Sequence, residues 1–490
     1  MMNQKEFMEL LRHNLEKNND ARLKVKFYQS LKSLVLSIQN TNDFKCPSSR
    51  FLSESFGVSR DTVEKVYTQL EDEGILYRIK GKGSFVYAKS GQYRQSAQNM
   101  QYDLAPESQQ LEDLFFDQNL NFFADGIPEI RNFPFKKWYE TEKQVLYSAG
   151  LSIYMKDNSA GNELLREQIA QLVNLHRHTQ VSPEQVLIVN STQQAMYLCG
   201  RVLLPENSQV ILEHPYYSNA YHLFKHMHMS LKCIGLDAEG LKIQDAEQLE
   251  NIRAVYVTPS CQYPSGIQMS EQRKRQIIEF AEKKNAYIIE DDYDAFMLKK
   301  EKNKAVFASD HYQRTVYIGS FSKYLLPGLR LSYLILPERL VEPFKRYRNY
   351  IDGSAPSQHI QVQLAHFMKN GEYAVYLHKM QQIYLKRYQA FIHYFNQYLA
   401  FYCELKEHHP SMQIACYFKN LKLAEKLEDA LVKGAELKGI AITHLSQFYE
   451  NDPEYGFVLG FSALNDTEIK ACMLELTQMI SAEIKRVNTK

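Results

Sequence analysis

The sequence predicts an α/β protein in two parts, a small helical head and a large body built on a mostly parallel sheet. Three observations predict it. The chain has 490 residues, too many for one hydrophobic core. From about residue 120 onward, short apolar runs alternate with helical stretches, as crossover helices alternate with parallel strands. Ahead of them, two helical patterns meet at a glycine. With 44% hydrophobic and 23% charged residues the composition is that of an ordinary globular protein. The opening MMNQKEFMELLRHNLEKNND is charged and lacks the apolar stretch of a signal peptide, and no run approaches bilayer length. A cytoplasmic location, away from membranes, is expected. The seven cysteines (46, 199, 233, 261, 403, 416, 472) are scattered without a C-x-x-C pair, which argues against a disulfide framework and against a zinc site.

The head starts at residue 22. Residues 24–40, KVKFYQSLKSLVLSIQN, carry Phe27, Leu31, Leu34, Val35 and Ile38 at helical spacing. In SRFLSESFGVSRDTVEKVYTQLEDEGIL (49–76), Ser49 can cap a short helix that ends near Gly57, whose freedom at positive φ suits a tight turn. Ser59 caps a second helix with Val63, Val66, Tyr67 and Leu70 as its apolar stripe. Ser59, Arg60, Asp61 and Thr62 are expected to be exposed at its start. Helix, glycine turn and a second helix opening on short polar residues form a helix-turn-helix pattern. GILYRIKGKGSFVY follows, two strand-like runs around Gly81-Lys82-Gly83, with Lys82 placed to reach a phosphate. Charge agrees in sign. Residues 1–90 hold 15 Lys+Arg and 11 Asp+Glu, a net of +4, and the remainder holds 43 and 46, a net of −3. Residues 89–118, rich in Gln and Ser, read as a linker.

In the body, the strand-like runs are VLIV (186–189), QVILE (209–213), AVYVTP (254–259), AYIIEDDYD (286–294) and TVYIGS (315–320), with helical stretches such as SEQRKRQIIEFAEKKN (270–285) between them. Ligands in such sheets bind beyond the carboxyl ends of the strands. Those ends carry Asn190-Ser191-Thr192-Gln193-Gln194, HPYY, SCQYPSG, Asp291-Asp292-Tyr293-Asp294 and Ser320-Phe321-Ser322-Lys323. A lysine between two apolar runs, a carboxylate, hydroxyls at a helix start, an arginine and aromatics suit a phosphorylated, ring-bearing cation such as pyridoxal phosphate, PLP. Asp292 and Asp294 read as solvated turn carboxylates.

Head and body together resemble the MocR family of regulators, which join a GntR-type winged helix to a fold type I aminotransferase-like body. The head motifs are CPSSRFLSESFGVSRDTVEKVYTQLEDEGIL and KGKGSFVY. The body motifs are SAGNELLREQIA, NSTQQAM, LEHPYY, YVTPSCQYPSGIQMS, IIEDDYDAF and YIGSFSKYLLPGLRLSYLILP. The resemblance implies a winged helix-turn-helix domain over 22–88. It implies a PLP-binding domain over 119–488, with a smaller C-terminal α+β subdomain. It also implies that Arg50, Ser59, Arg60, Thr62 and Lys82 face a double-stranded DNA operator, Arg60 being the best placed for a base edge.

For the body it implies that Lys323 carries PLP as an imine, Asp291 pairs with the pyridine nitrogen and Tyr293 bonds the ring oxygen. Ser320, Arg330 and the helix start at Thr192 and Gln193 would take the phosphate. Tyr217 would stack on the ring, and Tyr154 would reach across a homodimer.

Several positions depart from the pattern. Cys46 stands where Leu is usual, Cys261 where His is usual, and Ser191 replaces a phosphate-turn Gly, which narrows the backbone options. Gln262-Tyr263-Pro264-Ser265-Gly266 replaces the H-N-P-x-G of aminotransferases, and Val458 replaces the arginine that grips a substrate carboxylate. Asn219 is neutral where an effector-binding Arg can stand.

Three readings compete: a PLP-dependent transcription factor, an aminotransferase with an accessory DNA-binding head, and a repressor whose body is a degenerate dimerisation scaffold with no cofactor. Val458 and the head weigh against the second, leaving at most vestigial transaminase activity. Lys323, Asp291, Ser320 and Arg330 weigh against the third. The expected effector is PLP or an amine, and the family's genes commonly concern vitamin B6 or amine metabolism. An amine effector with a carboxylate would need another clamp, Arg346 or Arg348.

Overall fold

The computed structural model describes residues 4–18, 23–38, 44–86, 126–157, 159–294, 304–406, 409–420 and 422–488. The expected linker over 89–118 lies outside them. The chain forms two compact units, residues 1–116 and 117–490.

In the first unit, helices α1 (Gln4–Lys17), α2 (Leu23–Ser37), α3 (Ser49–Phe56) and α4 (Arg60–Asp72) precede a hairpin of β1 (Leu76–Ile79) and β2 (Gly83–Val86). The stripe read from the sequence is the core: Phe27, Leu31, Val35, Val63, Val66 and Leu70 are fully buried. Helix α1 adds Phe7 and Leu11 to it. The sequence reading missed this helix, because a charged segment with only two inward apolar residues looks like a solvated tail. The cap of α3 is Ser48, not Ser49: the Ser48 hydroxyl accepts from Phe51 N, and Ser49 is the first helical residue. Gly57 ends that helix at φ 66°. Ser59 caps α4 by accepting from Thr62 N. Cys46 is buried in this core.

The second unit opens with α5 (Phe135–Ala149) and α6 (Glu163–Arg177). The alternating core follows: β3 (Val186–Val189), α7 (Thr192–Leu203), β4 (Gln209–His214), α8 (Ser218–His226), β5 (Ser230–Asp237), β6 (Gly240–Leu241), β7 (Ile252–Val257), α9 (Glu271–Lys284), β8 (Tyr287–Asp291), the short α10 (Val306–Ser309), β9 (Thr315–Ser320) and β10 (Ser332–Ile335). Helices α11 (Glu338–Asp352), α12 (Gln358–Lys369) and α13 (Glu372–Tyr394) lead to a second sheet. It comprises β11 (Cys403–Glu404), β12 (Gln413–Phe418), β13 (Thr443–His444) and β14 (Gly456–Gly460), with α14 (Ala424–Glu436) and α15 (Asp466–Asn488).

The large sheet has the order β3-β10-β9-β8-β7-β4-β5-β6. Pairings β9–β8–β7–β4–β5 are parallel, and β10 runs antiparallel to both its neighbours. The carboxyl ends of β3, β4, β7, β8 and β9 therefore share one edge. Strands β3, β9 and β10 are buried along their whole length. Helices cover both faces of such strands, so they read as unbroken apolar runs. The C-terminal sheet is wholly antiparallel, β11-β12-β14-β13. Among the described residues, no helix is long and apolar enough to cross a membrane.

Candidate cofactor site and DNA-facing head

Asp291 closes β8 at the shared edge. Its Oδ2 accepts from the Tyr256 hydroxyl at 2.7 Å, while Oδ1 is buried with no hydrogen-bond partner among the described residues. Burial pushes the Asp291 carboxyl up to about 7. The Asp292 charge adds to the rise, and the Tyr256 bond and the Lys323 charge oppose it. Lys323 lies on the connection from β9 to β10. Its Nζ sits 5.1 Å from the centroid of the Tyr293 ring. A Cβ added to Gly126 would lie 3.7 Å from that nitrogen, so the Gly126 backbone forms another wall. The Tyr293 hydroxyl accepts from Gln413 Nε2 at 2.7 Å, and the Tyr293 carbonyl accepts from the Tyr324 hydroxyl at 3.2 Å.

At the end of β9, Ser320 Oγ accepts from Ser322 N at 3.2 Å and from Ser332 Oγ at 3.1 Å. Ser191 caps α7 at φ −165° and accepts from Gln194 N. That extended backbone suits any residue, so replacing Gly there carries no strain, contrary to the narrowing expected. Thr192 and Gln193 occupy the first turn of α7. Arg330 is exposed, at φ 51°. Tyr154 is exposed too, its ring 5.6 Å from that of His359. The structure thus brings together Lys323, Asp291 and Tyr293. Arg330, Thr192, Gln193 and Tyr154 stand outside that contact set.

Aromatic rings line the other side. The Tyr217 ring meets Tyr263 edge-on at 5.2 Å, and Tyr263 meets Tyr293 at 6.1 Å and Phe448 at 5.4 Å. Val458 is 1% exposed, packed in this cluster with Tyr263, Ala415, Tyr417 and Leu445. Asn219 donates to the Tyr217 hydroxyl at 2.9 Å. Arg348 is no substitute clamp: it is fully buried and donates to the carbonyls of Ile188 and Ser159.

Asp292 and Asp294 are not solvated. Both are buried, and Asp292 Oδ2 pairs with Arg177 Nε at 2.7 Å and accepts from the Tyr317 hydroxyl at 2.8 Å. The Arg177 partner comes from the far end of α6, out of reach of any local reading. Glu290 beside them accepts from Val306 N and Phe307 N, each at 2.8 Å. Glu213 was also missed. It is buried, accepts from Thr258 N and Oγ1, and burial raises its carboxyl to about 7. Its only signal was a charged residue ending an apolar strand.

In the head, Arg60 and Lys82 are exposed, at the start of α4 and the hairpin tip. Arg50 is exposed and pairs with Glu54 at 3.0 Å. Thr62 is half-buried, its hydroxyl 2.8 Å from that of Ser59.

The bacterial gntR regulatory family matches residues 23–86, and the class I and II aminotransferase family matches residues 124–456. The "Probable rhizopine catabolism regulatory protein MocR" of Rhizobium meliloti is 28% identical over 467 residues, 92% of each chain. The HTH-type transcriptional regulator YdeL of Bacillus subtilis is 30% identical over 431 residues, 87% of this chain and 90% of its own. The chain belongs to the MocR family of GntR-type regulators. This MocR-type body is also similar to solved aminotransferases. The multiple substrate aminotransferase of Thermococcus profundus matches with a TM-score of 0.69 at 24% identity, over 78% of this chain and 96% of that one. The kynurenine aminotransferase of Pyrococcus horikoshii matches with a TM-score of 0.69 at 22% identity, over 80% and 98%. At that identity the likeness concerns fold alone. The MocR-type chain is a DNA-binding regulator with an aminotransferase-like body.

Proposed function

We propose that this regulator senses PLP and passes the signal to an operator of vitamin B6 or amine-metabolism genes. The observation that carries the reading is the buried Asp291 carboxylate, with one oxygen lacking a donor among the described residues, beside Lys323 and Tyr293. Leaving a buried acceptor unmet is unfavourable until a donor arrives, and a protonated pyridine nitrogen is such a donor. The residues therefore fit PLP. Lys323 would hold it through its amine, Asp291 would keep the ring nitrogen protonated, and Tyr293 would donate to the ring oxygen. Ser320, Arg330 and the first turn of α7 at Thr192 and Gln193 would take the phosphate. Tyr217 would cover the ring face, and Tyr154 would serve the site of a second copy in a homodimer. Bound there, PLP supplies an electron-withdrawing ring to an amine carried on it.

Val458, packed among aromatics, gives a substrate carboxylate no cation, which weighs against more than vestigial transamination. It also favours PLP itself over an amino acid as effector, because the PLP phosphate has its own donors. In the head, Arg60 would reach a base edge, and Arg50, Ser59, Thr62 and Lys82 would position phosphates. The test is a titration of cofactor-free protein on its operator with PLP, then with PLP plus GABA, taurine and common amino acids. PLP alone should change the DNA affinity or footprint. A response to an amine alone, with none to PLP, refutes the sensing proposed here.

A further inference from the structure

Tyr293 is held at several points. Its carbonyl accepts from Tyr324, the neighbour of Lys323, its ring lies beneath Lys323 Nζ, and its hydroxyl takes the Gln413 amide at 2.7 Å. The third contact is the unexpected one. Gln413 is the first residue of β12, paired with Gly460 across the antiparallel C-terminal sheet. The next residues, Ile414, Ala415 and Cys416, are buried and apolar, and Gln413 is itself only 1% exposed. Its Oε1 is buried with no hydrogen-bond partner among the described residues. A carboxamide withdrawn from water with one atom unmet is less favourable than an apolar side chain of the same size. Packing alone does not account for a glutamine here.

A second observation points to the same residue. Tyr263 stands where the H-N-P-x-G motif of aminotransferases has its asparagine. Tyr263 and Gln413 both meet Tyr293, Tyr263 through its ring and Gln413 through its amide.

We propose that Gln413 is a positioning residue for Tyr293. Its amide orients and polarises the phenol, and through it the C-terminal sheet sets the acidity of the group held on Lys323. The inference rests on the reading that the site takes PLP. An N–H given to the phenol oxygen makes the phenol a stronger donor. A stronger donor at the ring oxygen favours that oxygen's negative form and lowers the pH at which the bound chromophore titrates.

The test uses full-length holoprotein and four variants: Gln413→Leu, Gln413→Met as a second apolar replacement, Tyr293→Phe, and Tyr293→Phe with Gln413→Leu. The readouts are the pH midpoint of the visible cofactor band and the dissociation constant for PLP. Gln413→Leu or Gln413→Met should raise the midpoint, in the same direction as Tyr293→Phe, and weaken PLP by about 3- to 10-fold. With Tyr293→Phe already present, Gln413→Leu should add less than about twofold, because the two act as one unit. A midpoint that stays put or falls, or two effects that simply add, overturns the inference while leaving PLP binding standing. Wild-type protein that takes up no PLP overturns the site reading and this inference together.

Discussion

Asp291 and Glu213 are carboxyls that burial holds protonated to near neutral pH, both at about 7. A carboxyl whose folded-state pKa lies above its unfolded value holds the extra proton in the folded state. Its penalty is absent below the unfolded value of about 4, grows through the interval, and is complete above about 7. Asp291→Asn should therefore stabilise the cofactor-free protein by about 2–4 kcal/mol at pH 8, with the gain vanishing near pH 4. Melting curves across that range check it, and an equal gain at both ends contradicts it. The same variant should lose most of its PLP affinity, so stability and binding pull this residue in opposite directions. Lys323 makes the companion prediction. Borohydride should fix a pyridoxyl mass on its peptide, and Lys323→Ala should lose the mass while keeping its far-ultraviolet spectrum.

At the scale of elements, the turn after β8 is pinned by an ion pair reaching it from α6. Arg177 and Asp292 have side chains at most 2% exposed, and Arg177 also donates to Ser260. Removing one member leaves the other charge buried and unmatched, which costs about 3–5 kcal/mol. Arg177→Met should show that loss in denaturant melts, and PLP should bind more weakly because Asp291 adjoins the freed turn. Helix α4 carries the head's prediction. Arg60→Ala should weaken specific DNA binding by about 1–3 kcal/mol. Lys82→Ala at the hairpin tip should weaken all sequences alike and lower the salt slope by about one. Filter binding at several salt concentrations separates the two.

The elements legible in the sequence were those with one clear period. Strands buried on both faces stood out as apolar runs, and the stripe of α4 stood out at helical spacing. Strand β5 did not: exposed Lys232 and half-buried neighbours break up SLKCIGLD, so the buried-strand template does not fit. Lys323, Asp291 and Tyr293 were legible because each ends a readable strand or lies in a recognisable motif. Arg177, Gln413 and the burial of Asp292 were not, since each depends on a partner over 100 residues away.

Over the whole molecule, a +4 head and a −3 body give a chain whose net charge of +1 says little about either. The excess positive charge lies in residues 1–90, and affinity for any DNA should fall with salt even though the protein is nearly neutral.

The antiparallel placement of β10 bears on the order of assembly. It pairs directly with β9, setting Ser332 against Ser320, so the strand ends flanking Lys323 close a short loop. Closing a short loop loses little chain entropy, and contacts near in sequence form fast. The Tyr256–Asp291 bond spans 35 residues and the Gln413–Tyr293 bond spans 120. During refolding, amides of 315–335 should gain protection from hydrogen exchange before those of 413–418, and PLP should bind only after the second group. The site's nucleophile would then be in place before the groups that govern its chemistry.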